Sequence, residues 1–244
     1  MINIEMETGD IILFKSITCC ACCVSFFTRS TTNHVGIVLK DIKLSNQTLS
    51  RSEKSRDEKF DELQLNGVYV LQSGMEFVKN VEKKYALGVQ IHKLSDLSTS
   101  YPSAFYRHIK IKRNDDFINK INEFWCEIKD APYDLTIKTW EKLTEAIFFD
   151  RLGADEINWK EKLDKVNFEI QMRKLLLSQT DKFSDKNNEG FTCSALLAYL
   201  LIKLGLLDSK HFTNGWKAIT PRFFDELQID WLNNAQHIDF SKTR

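Results

Sequence analysis

Cys193 and His34 are the two side chains in this sequence that best fit the chemistry of a thiol nucleophile and its base. Cys193 stands at the start of a predicted helix, in the run FTCSALL at 191–197. Backbone N–H groups and the helix dipole at such a start favour thiolate over thiol. His34 lies in the run TNHVGIV at 32–38, and a predicted strand there would hold a general base rigidly. Taken alone, a cysteine at a helix start is more often a small buried apolar residue, so the surroundings must decide.

Five short motifs supply those surroundings. They are TGDIILF at 8–14, FTRSTTNHVGIV at 27–38, PYD at 132–134, TCS at 192–194 and ITPR at 219–222. In this order they resemble the circularly permuted, papain-like NlpC-type hydrolases, which include bacterial YiiX-like proteins, poxvirus relatives and, more distantly, lecithin:retinol acyltransferase. The resemblance extends over residues 8–112, 115–135 and 190–225. It implies an α+β fold in which an antiparallel sheet packs against a central helix that carries Cys193.

The resemblance also implies roles for individual residues. Cys193 would attack an acyl carbonyl, His34 would take the thiol proton, and the backbone N–H of Cys193 would hold the oxyanion. On the strand after the histidine strand the family often has Glu, and the matching residue here is Gln72. An amide oxygen can accept the imidazole N–H but lacks the charge that stabilises imidazolium, which leaves Glu76 open as another orienting group.

Two further residues match family positions near the site. Tyr133 and Asp10 are therefore candidates for holding the oxyanion or the substrate, although a core-packing tyrosine and a capping aspartate explain them equally well. The remaining histidines compete with His34 for the role of base, but none matches the motif: His92, His108, His211 and His237.

The composition fits one domain over 1–244 and argues against several classes of function. Lys plus Arg and Asp plus Glu both number 34, so there is neither a basic excess for nucleic acid nor a polybasic run for an acidic membrane. The sequence does not start with the regions of a signal peptide. Its longest apolar stretch, 191–207, contains Lys203 and fits a buried core helix better than a membrane span. We therefore expect a cytoplasmic protein, or a virion protein if the source is viral.

Six cysteines occur, and four of them form the run CCACC at 19–23. Adjacent cysteines within one helix pair poorly with each other, and without a secretion signal we expect a reducing compartment and free thiols. Three interpretations of the run are open: an apolar helix packed on the sheet, an S-acylated anchor, and a metal site. The run lacks the separated Cys-x-x-Cys pairs of zinc sites, so we predict no metal and no organic cofactor.

Apolar periodicity outlines the elements that would position these residues. Alternation and β-branched runs predict strands at 10–14, 34–40, 67–72, 76–81, 88–92 and 104–111. Helical spacing predicts helices at 16–29, from Asp115 and Asp116 onward, at 135–149 and at 159–177. The charged segment 41–65 is expected to be an exposed, mobile insertion, and 136–188 a helical insertion or lid beside the site.

A thiol hydrolase is the function that these patterns favour. It would cleave an amide or ester through an acyl-enzyme on Cys193, and its substrate would be a small-molecule, peptide or lipid acyl compound. The alternatives are a lipid acyltransferase or phospholipase that uses the same Cys and His, and a catalytically silent binding protein. A soluble substrate is favoured over membrane association because a second membrane-binding signal is lacking. Oligomeric state is left open.

Overall fold

An antiparallel sheet organises the described part of the chain. The computed structural model describes residues 5–15, 32–45, 62–75, 78–129, 131–134, 190–209 and 219–240. Within these ranges six strands lie in the spatial order β4-β3-β2-β1-β5-β6, and every neighbouring pair is antiparallel. The strands are β1 (Ile11–Lys15), β2 (His34–Ser45), β3 (Glu62–Met75), β4 (Leu87–Lys93), β5 (Ser103–Arg107) and β6 (Gln236–Asp239).

Helices accompany the sheet, and the one with the most buried residues carries the cysteine. The helices among the described residues are α1 (Leu94–Leu97), α2 (Asp115–Ile128), α3 (Cys193–Lys203) and α4 (Pro221–Glu226). Helix α3 packs on β2 and β3, and β2 is an interior strand of the sheet. The predicted α+β class, with an antiparallel sheet beside a Cys-bearing helix, is therefore confirmed for this part of the chain.

Both faces of the sheet are buried, which explains why the central strands are almost wholly apolar. Successive side chains of a strand point to opposite faces. In β1, Ile11 and Leu13 join a first core together with α2 and α3, whereas Ile12 and Phe14 join a second core on the other face. The second core is closed by apolar side chains from α1, the following loop and the C-terminal strand, namely Leu97, Tyr101, Ile238 and Phe240.

Helix α3 is specified by local signals at both ends. At its start the Oγ1 of Thr192 accepts a hydrogen bond from the backbone N–H of Ala195 at 3.2 Å, the usual N-cap interaction. At its end Gly205 has a φ of +72°, and the N–H of Leu206 returns to the carbonyl of Leu201 at 2.9 Å. This is the Schellman arrangement, which favours glycine because the left-handed conformation strains other residues. The cap at Thr192 places Cys193 in the first helical position.

The prediction for 41–65 is wrong at both ends of that segment. Strand β2 continues to Ser45 and β3 begins at Glu62, and the two strands pair across this extension. Ile42, Leu44 and Leu65 are buried in the first core. The register shifts between Lys40 and Ile42, because Asp41 adopts a φ of +47° and forms a bulge. Residues 46–61 lie outside the described ranges.

Other predicted elements differ in their bounds. The predicted strand 76–81 is not present in its described part, 78–81, which has irregular structure, while β6 and α4 were not predicted. Helix α2 is capped by the side chain of Asn114 rather than by the two aspartates that follow it. The predicted helices at 16–29, 135–149 and 159–177, the cysteine run at 19–23 and the lid at 136–188 lie outside the described residues. Of the helices described, none is long and apolar enough to cross a membrane.

Candidate active site

His34 begins strand β2 at one end of the sheet. It lies opposite Phe14 of β1, and the N–H of the preceding Asn33 donates to the Phe14 carbonyl at 3.1 Å. By strand alternation the imidazole shares a sheet face with Gly36 and Val38, which is the face of the second core. The His34 side chain is nearly buried, at 9% exposure. A base held this way has little rotational freedom.

Cys193 approaches His34 from the other face of the sheet, at the N-terminus of α3. Its side chain belongs to the first core and retains 7% exposure. The sulfur is hydrogen-bonded to the His34 ring and to the backbone groups of Val35 and Ser194. The candidate nucleophile and the candidate base therefore meet where β2 begins, although 158 residues separate them in the chain (those from 35 to 192).

Two opposing influences set the protonation of this thiol. Burial raises the pKa of Cys193, because a thiolate is poorly solvated in the core. The charge of His34, the hydrogen bond to its ring, and the backbone bonds from Val35 and Ser194 lower that pKa. The stabilising contacts outweigh burial, so the pKa of the Cys193 thiol lies below its ordinary value. The environment therefore shifts the Cys193 thiol toward its thiolate form.

Gln72 completes the contact on the opposite side of the imidazole. Its Oε1 lies 2.7 Å from Nε2 of His34, and both side chains are buried. Gly36 makes this approach possible, because a Cβ at residue 36 would lie 2.4 Å from Cγ1 of Val70 and 3.4 Å from Cβ of Gln72. Strand β3 can therefore bring its amide close to the histidine. Glu76, the other candidate orienting group, lies outside the described residues.

His92 contacts the Gln72 amide through the end that does not face His34. The Nε2 of Gln72 is 3.1 Å from Nδ1 of His92, and Nε2 of His92 is 3.1 Å from the carbonyl oxygen of Val78. His92 is fully buried on β4. Sequence reasoning treated it only as a competing base, whereas the structure places it in contact with the amide of Gln72. We call Cys193, His34, Gln72 and His92 the Cys193 cluster.

Tyr101 is a neighbour of His34 that the sequence did not indicate. Its ring is nearly parallel to the imidazole, with an interplanar angle of 10° and centroids 5.9 Å apart, and it also packs on Phe14. Tyr101 comes from the loop between α1 and β5, a segment with no motif around it. An aromatic face in this position stabilises a positively charged imidazole.

Tyr133 reaches the neighbourhood of Cys193 through its backbone. It forms an isolated parallel bridge with Phe191, and the flanking bonds join Asp134 and Pro132 to the same residue. Ser73, next to Gln72 on β3, donates its hydroxyl to the Phe191 carbonyl at 2.6 Å. The segment that leads into Cys193 is thus fixed on two sides, and the half-buried Tyr133 helps to position it.

Asp10 lies away from these residues. Its carbonyl oxygen accepts from the N–H of Val38, so Asp10 is four residues, or about 14 Å, from the Phe14–His34 pair along β1. Its buried carboxylate accepts hydrogen bonds from Tyr106, Arg113 and the backbone N–H of Ile109 and of Glu7. The structure therefore separates Asp10 from the substrate-binding role that the motif implied. We call this group, together with the adjacent His108, the Asp10 cluster.

The other two described histidines, His108 and His237, do not compete for the thiol. His108 belongs to the Asp10 cluster, with its Nδ1 3.2 Å from the Asp10 carboxylate, and His237 is an exposed residue of β6 that packs on Phe105. His211 lies outside the described ranges. Among the described residues, no group of three or more His, Cys, Asp or Glu side chains is arranged to hold a metal ion. The chemistry available at this end of the sheet is that of a thiolate, an imidazole and an amide.

Comparison with known proteins gives a structural likeness over part of the chain. No family model matches the chain, and no curated protein matches it. Among solved structures it is similar to the crystal structure of the metalloprotein yiiX from Escherichia coli O157:H7, at 16% identity and a TM-score of 0.34. The match covers 54% of this chain and 55% of that one, so the chain spans about half the length of this neighbour.

Proposed function

We propose that this chain is a cysteine hydrolase with a permuted papain-like fold, which cleaves an amide or ester bond through an acyl-enzyme on Cys193. The observation that carries the proposal is the contact between Cys193 and His34. A buried thiol ordinarily has a raised pKa, yet here hydrogen bonds and the charge of His34 hold the pKa below its ordinary value. Stabilising a buried thiolate is what nucleophilic catalysis requires, and a purely structural cysteine has no need of it.

The catalytic cycle follows from the two groups. The Cys193 thiolate attacks the carbonyl carbon, and the carbonyl π electrons move to oxygen, where the backbone N–H of Cys193 stabilises the charge. When the intermediate collapses, the C–N or C–O bond breaks and the His34 imidazolium gives its proton to the leaving group. Water then attacks the thioester while His34 takes one of its protons. Cys193 leaves as thiolate and regenerates the starting ion pair.

Gln72 supports this cycle as an orienting group. The bond of 2.7 Å to Nε2 fixes the ring plane, so the other ring nitrogen, Nδ1, is the one that serves the thiol. A neutral amide adds no countercharge for the imidazolium. The stabilisation of that charge is therefore assigned to the thiolate itself and to the aromatic face of Tyr101.

Trapping the acyl-enzyme tests the proposal. The protein is mixed with p-nitrophenyl acetate, quenched in acid and mapped by mass spectrometry for acetylated cysteine peptides. We expect a burst of nitrophenol and an acetyl group on the peptide that contains Cys193. Cys126→Ala is the matched control, because Cys126 is the other cysteine among the described residues and its Sγ faces the carbonyl of Ser45. Its removal should leave the burst unchanged.

Cys193→Ala should abolish both the burst and the modified peptide while the protein stays folded by circular dichroism. A wild-type protein that acetylates Cys126 as readily as Cys193, or neither, would contradict the proposal and favour a binding protein without catalysis. The lipid acyl alternative shares the same first step. It is separated by repeating the assay with a p-nitrophenyl ester of a long-chain fatty acid in vesicles, where the hydrolase proposal expects no gain over the acetate.

A further inference from the structure

We propose that His92 is a positioning residue that sets the orientation of the Gln72 amide and, through it, the tautomer of His34. The inference rests on the proposed function, because it concerns how the base is prepared for Cys193. His92 is placed behind Gln72 and does not touch the reacting atoms. Its contribution would be to fix which end of the Gln72 amide faces His34, because a neutral amide can present either its oxygen or its NH2 group.

The argument begins at the backbone carbonyl of Val78. A carbonyl oxygen can only accept a hydrogen bond, so the ring nitrogen of His92 that lies 3.1 Å from it must carry the proton. That nitrogen is Nε2. In the neutral ring Nδ1 then has a lone pair and acts as an acceptor. One backbone group thus fixes the tautomer of a fully buried histidine.

The acceptor at Nδ1 of His92 dictates how Gln72 is turned. Facing it at 3.1 Å must be the NH2 group of the amide, which donates. The amide oxygen consequently points the other way, to Nε2 of His34 at 2.7 Å, and that nitrogen must be the N–H donor. In neutral His34 the lone pair is therefore on Nδ1, where a base for the Cys193 thiol needs it.

Without His92 this directionality is lost. The two ends of a glutamine amide have the same shape, and when His34 is neutral nothing in the contact between Gln72 and His34 alone prevents a flipped amide paired with the opposite tautomer. In that state the proton is on Nδ1 of His34, and the base cannot accept the thiol proton. The strand register brings the residues together, because Gln72 pairs with Gln90 and Val70 pairs with His92 on neighbouring strands.

Imidazole nitrogen NMR tests the tautomers directly. Full-length Cys193→Ala protein, labelled with 15N-histidine, provides a His34 without a thiolate partner, and two-bond 1H–15N correlation spectra report which ring nitrogen is protonated. We expect both His34 and His92 to be neutral Nε2–H tautomers at a pH where exposed histidines are deprotonated. Finding His92 as the Nδ1–H form or as imidazolium would overturn the inference without any substitution at residue 92.

Two substitutions of His92 then test whether the orientation is transmitted. His92→Phe keeps an aromatic ring but removes both polar contacts, whereas His92→Gln can still accept from Gln72 and donate to Val78. In the Cys193→Ala background we expect His92→Phe to give a mixture of His34 tautomers and His92→Gln to retain Nε2–H. A His34 spectrum that is the same in all three proteins would overturn the inference.

With Cys193 present, His92→Phe should slow acetylation by p-nitrophenyl acetate by about 10- to 100-fold, and His92→Gln should restore the rate to within a few-fold of wild type. A general loss of packing would lower stability in both variants but would not alter the tautomer of His34. The two proposals can fail separately. If wild-type Cys193 is not acetylated, the hydrolase proposal fails, while the tautomer spectra of Cys193→Ala still decide the role of His92.

Discussion

The Cys193 cluster and the Asp10 cluster are two buried polar groups at opposite ends of β1, and they differ in what their hydrogen bonds achieve. In the Asp10 cluster one carboxylate is held by Arg113, Tyr106 and two backbone N–H groups. Burial and the bond to Asp10 raise the pKa of Tyr106, so its proton stays in place. The charges there are paired permanently, which suits an anchor for the loops around the sheet.

The Cys193 cluster is built from groups that can exchange a proton. Its thiol and imidazole titrate, and the amide and the second imidazole only direct the hydrogen bonds around them. The charge that the environment stabilises is on Cys193, the proposed nucleophile, which is in the first turn of a helix. The comparison teaches that burial and hydrogen bonding alone do not mark a reactive site. A reactive site needs, in addition, a group that can exchange its proton.

The largest effect is expected from His34→Ala. Without the base, acetylation of Cys193 by p-nitrophenyl acetate should fall by about 10²- to 10⁴-fold, the usual contribution of a positioned general base. Stopped-flow release of nitrophenol provides the rates. His237→Ala, which removes an exposed histidine outside both clusters, is the control and should keep the wild-type rate. An unchanged rate in His34→Ala would assign the base to another residue.

Asp10→Ala should lower the stability of the protein but leave the acetylation rate of Cys193 unchanged. It removes the buried carboxylate from Tyr106 and from the partly buried guanidinium of Arg113, which keeps Glu7 as an ion-pair partner, so the free energy of unfolding should drop by about 1–3 kcal/mol in urea titrations. Asp116→Ala, which breaks an exposed ion pair with Lys120 on α2, should cost less than about 1 kcal/mol. In the folded fraction of Asp10→Ala the acetylation rate should be that of wild type. A large rate loss there would join the two clusters that we treat as separate.

Gln72→Ala should produce an intermediate kinetic effect. The imidazole loses its only described amide partner and can rotate, so we expect acetylation to slow by about 10-fold, a loss close to 1.4 kcal/mol of transition-state stabilisation. Gln90→Ala is the matched control, since Gln90 is the cross-strand neighbour of Gln72 and donates to the backbone carbonyls of Gly74 and Ala86. Equal rates for Gln72→Ala and wild type would show that another group orients His34.

The smallest effect is expected from Tyr101→Leu. Loss of the aromatic face removes a cation–π contribution of about 0.5–1 kcal/mol to imidazolium, which corresponds to about a two- to five-fold slower alkylation of Cys193 at acid pH. Tyr101→Phe keeps the ring and should retain the wild-type rate. If both variants are equally slow, packing or the hydroxyl group is responsible and the aromatic contribution is refuted.

Much of the Cys193 cluster could be predicted from the sequence because its signals are local. The apolar run after Cys193 indicated a helix start there, a β-branched run located His34 at the start of a strand, and the family resemblance singled out Gln72. His92 and Tyr101 could not be assigned in this way. Their contacts depend on strand register and loop path, and a register slip of one residue would turn His92 to the other face of the sheet.

Two sequence predictions, for the segment 41–65 and for Asp10, differ from the structure because contacts with distant residues decide both. Ile42, Leu44 and Leu65 alternate with polar residues as a strand requires, but the high charge of the surrounding segment outweighed that pattern in the prediction of an exposed insertion. Asp10 was linked to the site by its motif, whereas its role is decided by Arg113 and Tyr106, residues about a hundred positions later in the chain. Such long-range pairings leave no periodic signal in the sequence.

The pH dependence of Cys193 alkylation is the most direct test of the central claim that His34 stabilises a buried thiolate. Iodoacetamide rates are measured for Cys193 and Cys126 by peptide mapping across acid to alkaline pH, in wild type and in His34→Ala. Because the pKa of Cys193 is lowered, its thiolate should persist to lower pH than that of an ordinary thiol, and we expect Cys193 to react faster than Cys126 below neutral pH. In His34→Ala burial is no longer compensated, so the inflection should move to higher pH. A Cys193 inflection that is the same in both proteins, or a rate no faster than that of Cys126 below neutral pH, would contradict the account.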